Sequence, residues 1–557
     1  MQKPRIFTKF VTSSTYAQTA IALFIILIFG LVNVSSVLRS FSLTTDEDKH
    51  IMYGENIVAG DSTRIDDSKM PATALNALPK KLVPFVQNEK LKSHLNQLYT
   101  ARAVTIFFSC LLALLVFSWS RALFGFIPAL FSLMLYVLDP NIIAHSQLVT
   151  TDLYLTASIS FAFFTLWKFA NERNIKNGLA FFFALGIAQL AKYTAVVLFP
   201  LTFLALFLYD LPDWAKSVRL PKELFRMVMR YARYVALAFV VVVAIINVGF
   251  LFNQPFVRFG DYRFRSDVFM NIQSEFPILK NIPVPTPHPY LKGLDWMRQT
   301  EQTGYRSGRI YLLGYLSELK GIPGYYFVAA LFKVPISTQV IYLAAIVAYV
   351  YFLQKGNGDH LRKNVIFFLV PVLFFAVYFN FFFNTQIGIR YYLPVFPLLY
   401  VFSGFLFTGW EGFSLLRKFS AYALVIYLFV SVASYYPYHM SYMNELIGNR
   451  LNAYKYLADS NLDWSQAKNE YRQYIRDHPG VIVNPRNSPP SNPNKPRPGH
   501  YILRINDLVG ITEDPQRFAW LRNNFEPVDT VAYAYLVYQI TPEQIEELCA
   551  TTTYCAK

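Results

Sequence analysis

The feature that most constrains this chain is a series of apolar runs without charged residues, several of them long enough to cross a bilayer. A membrane-spanning helix needs about 20 mostly apolar residues. The series predicts a polytopic α-helical membrane protein with about eleven spans, of which 153–167 and 178–191 are the shortest. The runs are 17–38, 103–119, 122–138, 153–167, 178–191, 193–209, 234–252, 334–354, 365–383, 391–410 and 419–436.

The composition supports this class. Hydrophobic residues make up 54% of the chain and charged residues only 15%, whereas soluble domains carry about 25% charged residues. The first run is longer than the core of a secretory signal peptide and lacks an A-x-A cleavage site. We therefore expect it to be a retained membrane anchor.

Lysine and arginine residues in the short loops predict the orientation, because such residues accumulate on the cytoplasmic side of membrane proteins. If the predicted spans alternate, the basic loop residues fall on one side and the N-terminus is cytoplasmic. The longer segments 39–101, 253–333 and 437–557 then lie outside. The basic residues are Lys3, Arg5, Lys9, Arg121, Lys168, Arg173, Lys176, those from Lys216 to Arg233, Lys355, Arg362, Lys363, Arg417 and Lys418.

The net charge of +16 does not indicate a nucleic-acid-binding protein. Basic and acidic residues nearly balance from Tyr436 onward, so the basic excess lies in the membrane half. A nucleic-acid-binding protein would concentrate that excess on one soluble domain. Here it reflects membrane orientation and attraction to anionic lipid head groups.

Two domains are predicted, a membrane domain over residues 1–436 and a small α/β domain over 437–557. In the second domain "DWSQAKNEYRQYIRDH" is typical of a helix, and "GHYILRI" and "DTVAYAYLVYQIT" are typical of strands. The Pro- and Asn-rich "NPRNSPPSNPNKPRPG" between them predicts a flexible insertion. Cys549 and Cys555 close the chain on the predicted external side, where a disulfide is chemically permitted, and we favour a bridge between them.

Ionisable side chains stand at the external ends of several spans, where burial is costly and function is the first suspicion. Taken singly, an acid there can complement a helix dipole and a base can reach the head groups. Taken together, an acid and a cluster of cations suit a reaction in which a hydroxyl loses its proton and an anionic phosphate departs. These residues are Asp46, Glu47, Asp152, Lys192 and Arg390, with Glu318 and Lys333 in the segment 253–333.

Several motifs of the chain resemble those of bacterial family 39-type glycosyltransferases, a group similar to protein O-mannosyltransferases and to the lipid A aminoarabinose transferase. The resemblance implies a GT-C fold, a location in the bacterial inner membrane and a sugar donor carried on a polyprenyl phosphate. It spans nearly the whole chain, from Asp46 to Gln466. The motifs are "TTDEDKHIMYGENIVAG", "SKMPATALNALP", "HSQLVTTDLYLT", "LGIAQLAKYTAVVLFP", "GIRYYLPVFPLLY", "SYMNELIGN" and "LADSNLDWSQ".

The resemblance also implies roles. Asp46 matches the catalytic acid, a general base for the acceptor hydroxyl, with Glu47 as its partner. Asp152 matches a second acid near the donor sugar, and Lys192 and Arg390 match the cations that hold the donor phosphate. Further residues expected to line the site are His50, which lies one helical turn from Asp46 on the same face, Lys333, Glu318, Asn461 and Asp463.

No cofactor or metal is expected. No cluster of His, Cys and Asp has metal-ligand spacing, and no glycine-rich phosphate loop indicates direct use of a nucleotide sugar. The sequence therefore predicts an inverting glycosyltransferase that moves a sugar from a polyprenyl phosphate to a hydroxyl of a glycan, lipid or protein. An oligosaccharide ligase of related fold, a transporter or flippase, and a non-catalytic membrane scaffold remain alternatives.

Overall fold

A computed structural model of the 557-residue chain describes residues 15–40, 42–304, 308–355, 359–483 and 496–555. Within these ranges the chain is mainly helical. Most of the predicted insertion 484–499 lies outside the described residues. The α-helices are α1 Thr15–Ser40, α2 Glu47–Val58, α3 Ala74–Lys81, α4 Glu89–Leu95, α5 Leu98–Phe124, α6 Phe126–Val137, α7 Pro140–Ser146, α8 Thr151–Asn171, α9 Ile175–Ala191, α10 Leu198–Tyr209, α11 Leu211–Ser217, α12 Pro221–Gly249, α13 Asp267–Glu275, α14 His288–Thr303, α15 Tyr325–Lys333, α16 Ile336–Gln354, α17 Asp359–Phe381, α18 Val395–Ser403, α19 Leu415–Ala433, α20 Ala453–Tyr456, α21 Lys468–Asp477, α22 Ile505–Leu508, α23 Ala519–Asn524 and α24 Pro542–Thr551.

Among the described residues, seven helices are long and apolar enough to cross a membrane. Two bent pairs, α6 with α7 (62°) and the stretch Tyr193–Tyr209 with α11 (66°), raise the number to nine if each pair is one span. The chain is thus a polytopic helical membrane protein. The remaining two predicted runs fall on the shorter apolar helices Ile175–Ala191 and Val395–Phe407, and the total of about eleven spans stays a prediction.

Helix α8 lies at the centre of the bundle. In its most apolar stretch 72% of the residues are buried, against 17% for α12. Small residues in α9 let this helix pack closely against α8 and α12, as is usual between membrane helices. In α9, Gly178 lies against Phe169 of α8, and a Cβ at Gly186 would overlap Ile245 of α12. The first turn of the central helix carries Asp152.

The segments between spans hold short helices and one hairpin. Residues 42–97, between α1 and α5, form α2, α3 and α4. Residues 253–333 form α13, α14 and α15, and strands β1 Arg309–Leu312 and β2 Tyr315–Glu318 pair in antiparallel register. The helix α14 lies beside the turn that follows α9, because Gly293 has no side chain to meet Tyr193.

The C-terminal segment forms a four-stranded sheet in the order β3-β4-β6-β5, with β3 Ile482–Val483, β4 Gly499–Arg504, β5 Asp529–Val531 and β6 Tyr535–Ile540. Strand β3 runs parallel to β4, and the other pairs are antiparallel. The run predicted as one strand, 529–541, forms two, because the chain reverses at Ala532 and Tyr533, both with positive φ. Cys549 and Cys555 form a disulfide.

Buried polar contacts join the C-terminal segment to the end of α15. The Lys333 ammonium at the end of α15 donates to the carbonyl oxygens of Met440 (2.8 Å) and Asn461 (2.7 Å). The Asn444 amide donates to the carbonyl oxygen of Val334 (2.7 Å). Because buried donors and acceptors are costly to leave unpaired, these contacts hold residues 440–461 firmly against α15.

Candidate active site

Asp46 lies at a strained turn just before α2. Its backbone adopts the left-handed conformation, with φ 75°, a conformation that Asp tolerates better than most residues and that persists where surrounding contacts hold it. Two backbone hydrogen bonds hold the turn, from Thr45 N to Trp464 O (3.1 Å) and from Ser42 N to Gln466 O (3.0 Å). The Asp46 carboxylate does not cap its own helix. It lines a cavity instead.

Glu47 is completely buried and belongs to a different environment. Arg102 of α5 binds its two oxygens with Nε at 2.9 Å and Nη2 at 2.6 Å. The amide and hydroxyl of Thr44 donate to the same carboxylate at 2.9 and 2.8 Å, and the amide of Val149 donates at 2.9 Å. Since Val149 lies three residues before Asp152, Glu47 ties the Asp46 turn to the start of the central helix.

Asp152 lies between two cations. Its carboxylate accepts a hydrogen bond from Lys192 Nζ at 2.7 Å, and Arg390 Nη1 lies 3.6 Å from its second oxygen. Aromatic rings support both cations: Lys192 Nζ is 3.9 Å from the centre of the Tyr391 ring, and the Arg390 guanidinium is 4.1 Å from that of Trp464. One carboxylate paired with two cations leaves a local excess of positive charge that an anion can neutralise.

The Arg390 side chain is positioned by a buried amide. Asn461 accepts from the backbone amide of Ile389 through Oδ1 (2.9 Å) and donates to Tyr325 through Nδ2 (2.9 Å). Gly388 precedes this turn with φ 71° and lies against Ser460, where a Cβ would clash. Asn461 therefore acts on the site through the backbone beside Arg390.

One cavity brings together five of the residues predicted from the sequence: Asp46, His50, Asp152, Lys192 and Arg390. It measures about 1000 Å³, counting the open solvent at its mouth. Its wall combines the segment 42–97, the start of α8, the turn after α9, α14 and the stretch 383–391. The other lining residues are Ser68, Lys69, Thr150, Thr151, Tyr193, Thr194, Trp296, Met297, Thr300, Glu301, Phe383, Thr385, Ile387 and Tyr391.

Two charged lining residues were not predicted. Lys69 is buried, with its Nζ 3.2 Å from Ser68 Oγ, and adds a third cation to the wall. Glu301 of α14 accepts a hydrogen bond from Tyr378 (2.8 Å). Lys69 lies inside the motif "SKMPATALNALP", and its place in that motif could have identified it as a site residue. Nothing in the local sequence distinguishes Glu301, because only the folding of α14 over the cavity places it there.

The five other predicted site residues do not line this cavity. Glu318 lies on the exposed hairpin and pairs with Arg309 (3.1 Å). Lys333 and Asn461 form the buried hydrogen bonds described above. Asp463 is buried and forms an ion pair with Arg504. Glu47, although adjacent to Asp46 in sequence, does not line the cavity, and its carboxylate accepts hydrogen bonds from Arg102, Thr44 and the amide of Val149.

His50 presents a neutral ring to the cavity. Burial, and then the positive charge of Lys69, lower the pKa of the imidazole from 6.5 to about 3. Its Nδ1 has no hydrogen-bond partner within the described part of the chain. At neutral pH the ring is uncharged, so it adds no charge to the cavity and contributes only its shape and one hydrogen-bonding nitrogen to the cavity wall.

Asp46 lines the same cavity as Lys69, Lys192 and Arg390, and within the described residues it forms no ion pair, whereas Asp152 and Glu301 do. Such an arrangement can take a proton from a hydroxyl through Asp46 and stabilise a departing phosphate through Lys192 and Arg390. In the described ranges, no group of three or more His, Cys, Asp or Glu side chains is arranged to hold a metal ion. The absence of a metal requirement nevertheless remains a prediction.

Residues 94–246 match the family model described as dolichyl-phosphate-mannose-protein mannosyltransferase. The match confirms the resemblance seen in the motifs and the enzyme class, a membrane glycosyltransferase that uses a lipid-linked phosphate sugar. The matched segment contains Arg102, Asp152 and Lys192. No curated protein sequence matches the chain.

Among solved structures, the chain is similar to ArnT from Cupriavidus metallidurans bound to undecaprenyl phosphate, with 12% identity over 94% of this chain and 98% of that one and a TM-score of 0.47. It is also similar to the apo oligosaccharyltransferase of Archaeoglobus fulgidus, with 12% identity over 90% of this chain and 72% of that one and a TM-score of 0.48. Both likenesses are distant.

The contact between α14 and the turn after α9 gives a first prediction. In Gly293→Ala the new Cβ would overlap the ring and hydroxyl of Tyr193, so either α14 or the Tyr193 ring, both of which line the cavity, must move. Because small displacements of a site cost about 100-fold in rate, we expect a fall of that order in sugar transfer. Gly412→Ala, at a glycine with open space around it, is the control. Wild-type transfer by Gly293→Ala would contradict this packing.

The burial of His50 predicts a pH dependence of stability. In the unfolded chain a histidine binds a proton below about pH 6.5, whereas in the folded protein the His50 pKa is about 3. The unfolded state therefore takes up more protons between these values, and the free energy of unfolding falls as the pH drops, by about 1.4 kcal/mol per pH unit. His50→Gln should lose this part of the pH dependence of the free energy of unfolding. The measurement is the unfolding temperature in detergent between pH 5 and 8. The exposed His94→Gln should follow the wild type, and an unchanged slope in His50→Gln would refute the assignment.

Proposed function

We propose that this chain is an inverting glycosyltransferase of the GT-C fold, with about eleven spans, that moves a sugar from a polyprenyl phosphate to a hydroxyl acceptor on the external side of the bacterial inner membrane. The observation that carries the proposal is the placement of Asp46 in the same cavity as the pair of cations held by Asp152. The charge pattern of the loops supports a cytoplasmic N-terminus and an external C-terminal segment.

The cations bind the phosphate of the donor. Lys192 and Arg390 share the buried carboxylate of Asp152, and Lys69 faces the same space. When the bond between the anomeric carbon and the phosphate oxygen breaks, the electron pair stays with the phosphate and the cations stabilise its charge. A phosphate of this kind is stable as an anion, so its departure requires no general acid. Asp152 keeps the two cations in place before the donor arrives.

Asp46 acts as the general base. As the acceptor oxygen bonds to the anomeric carbon, its proton passes to the Asp46 carboxylate. A single base without a covalent intermediate places the acceptor opposite the leaving phosphate and inverts the anomeric carbon. The strained turn and the two backbone bonds to the 464–466 segment support this role, because they hold the carboxylate in place before substrate binds.

Glu47 and Arg102 position the two acids rather than touch substrate. The Glu47 carboxylate bonds to Arg102 and to the amides of Thr44 and Val149. These contacts fix the turn that carries Asp46 relative to the helix that begins beside Asp152. We therefore assign the predicted partnership of Asp46 and Glu47 to positioning.

Replacing the base should stop the chemical step. In Asp46→Asn the carboxylate is lost while its shape is kept, and general-base catalysis is typically worth about 10²–10⁴-fold, so transfer should fall by at least about 100-fold. The assay uses membranes supplied with a panel of labelled polyprenyl-phosphate sugars and extracted envelope glycans. Asp48→Asn, at an exposed neighbour, is the matched control. Transfer retained in Asp46→Asn would overturn the role of the base, and absence of transfer by the wild type with every donor would favour the ligase or transport alternatives.

Removing a phosphate-binding cation should act on the donor. Lys192→Met deletes the ammonium that lies 2.7 Å from Asp152. Since a charge-assisted hydrogen bond is worth about 1.5–3 kcal/mol, inhibition by free polyprenyl phosphate should weaken by about 10- to 100-fold. The exposed Lys176→Met serves as control. Equal inhibition of Lys192→Met and wild type would contradict phosphate binding by this side chain.

A further inference from the structure

A second cavity adjoins the first. It measures about 1070 Å³ with its open solvent, and Trp296 of α14 lines both cavities. All its described lining residues come from the segments 42–97 and 253–333, and none belongs to a candidate membrane span. If the protein acts as proposed above, this cavity opens to the water on the side where the acceptor must arrive.

We propose that this second cavity, which we call the acceptor cavity, binds a water-borne glycan and presents one of its hydroxyl groups to Asp46 past the Trp296 ring. The inference rests on the proposed function and names the acceptor class of that same site: a carbohydrate rather than a protein or a membrane lipid.

The walls of the acceptor cavity carry side chains of both charge signs at its surface. Lys292 and Asp67 face each other at 3.4 Å, with 45% and 17% of their side chains exposed. His288 and Asn253 add neutral hydrogen-bonding groups. A sugar ring has a rim of hydroxyl groups and a face of C–H groups, so it needs donors and acceptors on one side and a flat apolar surface on the other. Trp296, whose side chain is half-buried, is the aromatic residue with an indole ring in this lining, and such rings combine an apolar body with a polar edge.

The floor of the cavity is rigid and continuous with the first cavity. Arg64 Nη1 donates to Tyr193 Oη (3.0 Å) and to Pro289 O (2.8 Å), and Nη2 donates to Lys69 O (2.7 Å). The guanidinium thus joins the loop that carries Lys69 to the residue after Lys192 and to the start of α14. A ligand in the acceptor cavity therefore has a defined position relative to the donor site.

The chemistry of the walls disfavours the other two acceptor classes. A lipid acceptor whose acyl chains entered this cavity would need an apolar wall, yet Ile65 and Pro289 are the only wholly apolar lining residues within the described chain. An extended peptide is usually held by the backbone of a strand edge or by an apolar groove. The lining residues of the acceptor cavity lie on loops and on α14, and the described strands do not contribute to it.

A photo-crosslinker tests the class of the ligand in the full-length protein in living cells. p-Benzoylphenylalanine replaces Thr63, an exposed residue at the cavity rim; the same group at the exposed position 275, which lines neither cavity, is the control. We expect an adduct at position 63 only, and we expect periodate, but not protease or lipid extraction, to remove the captured mass. A protein or lipid adduct, or a yield equal to that of the control, would overturn the proposal.

Variants connect the adduct to the cavity walls. Trp296→Ala should reduce the yield by about tenfold, while Trp296→Phe, which keeps a flat ring, should retain most of it. Lys292→Gln changes an exposed side chain and should also reduce the yield. Unchanged yields in both Trp296→Ala and Lys292→Gln would overturn the site. The Asp46→Asn protein should keep the adduct although it loses transfer. A glycan adduct without any transfer by the wild type would refute the proposed function alone. Transfer to a lipid without an adduct would refute this inference alone.

Discussion

The ion pair between Glu47 and Arg102 is the contact on which the arrangement of the site depends. Both side chains are excluded from solvent, with 0% and 1% exposed, and the carboxylate is saturated by hydrogen bonds from three parts of the chain. A buried pair of this kind adds little net stability, but removing one partner costs about 3–5 kcal/mol. Its effect is therefore on geometry: it forces the turn after α1, helix α5 and the start of α8 into one fixed relation.

Five of the ten site residues predicted from the sequence line one cavity, and the roles of these residues stay predictions. Their position at the membrane boundary indicated Asp46, Asp152, Lys192 and Arg390. Ionisable groups are scarce there, because burying them is costly, and those present usually have a function. That position could not show which acid of the Asp46–Glu47 pair faces the cavity. That choice depends on the positive φ at Asp46 and on the distant Arg102, neither of which leaves a local pattern.

Long-range packing explains most of what sequence reasoning missed. Trp296 and Glu301 reach the cavity only because α14 lies close to Tyr193, which depends on the missing side chain of Gly293. Glu318 and Lys333 were expected at the site on the basis of the same segment, but the hairpin and the contacts with Met440 and Asn461 carry them elsewhere. Apolar runs predicted helices well, since hydrophobicity is a local property of the sequence. The turn at Ala532 that splits the last predicted strand could not be predicted, because it has no such local pattern.

The sharing of Asp152 between Lys192 and Arg390 has a consequence for turnover. If Lys192 and Arg390 bind the donor phosphate as proposed, the spent carrier left after transfer is a lipid phosphate with more negative charge than the donor, and the same cations would hold it more tightly. A permanent carboxylate 2.7 Å from Lys192 competes for the same positive charge and stands ready to replace the phosphate as it leaves. We therefore expect Asp152 to moderate product inhibition, so that the spent carrier returns to the bilayer and the site accepts the next donor.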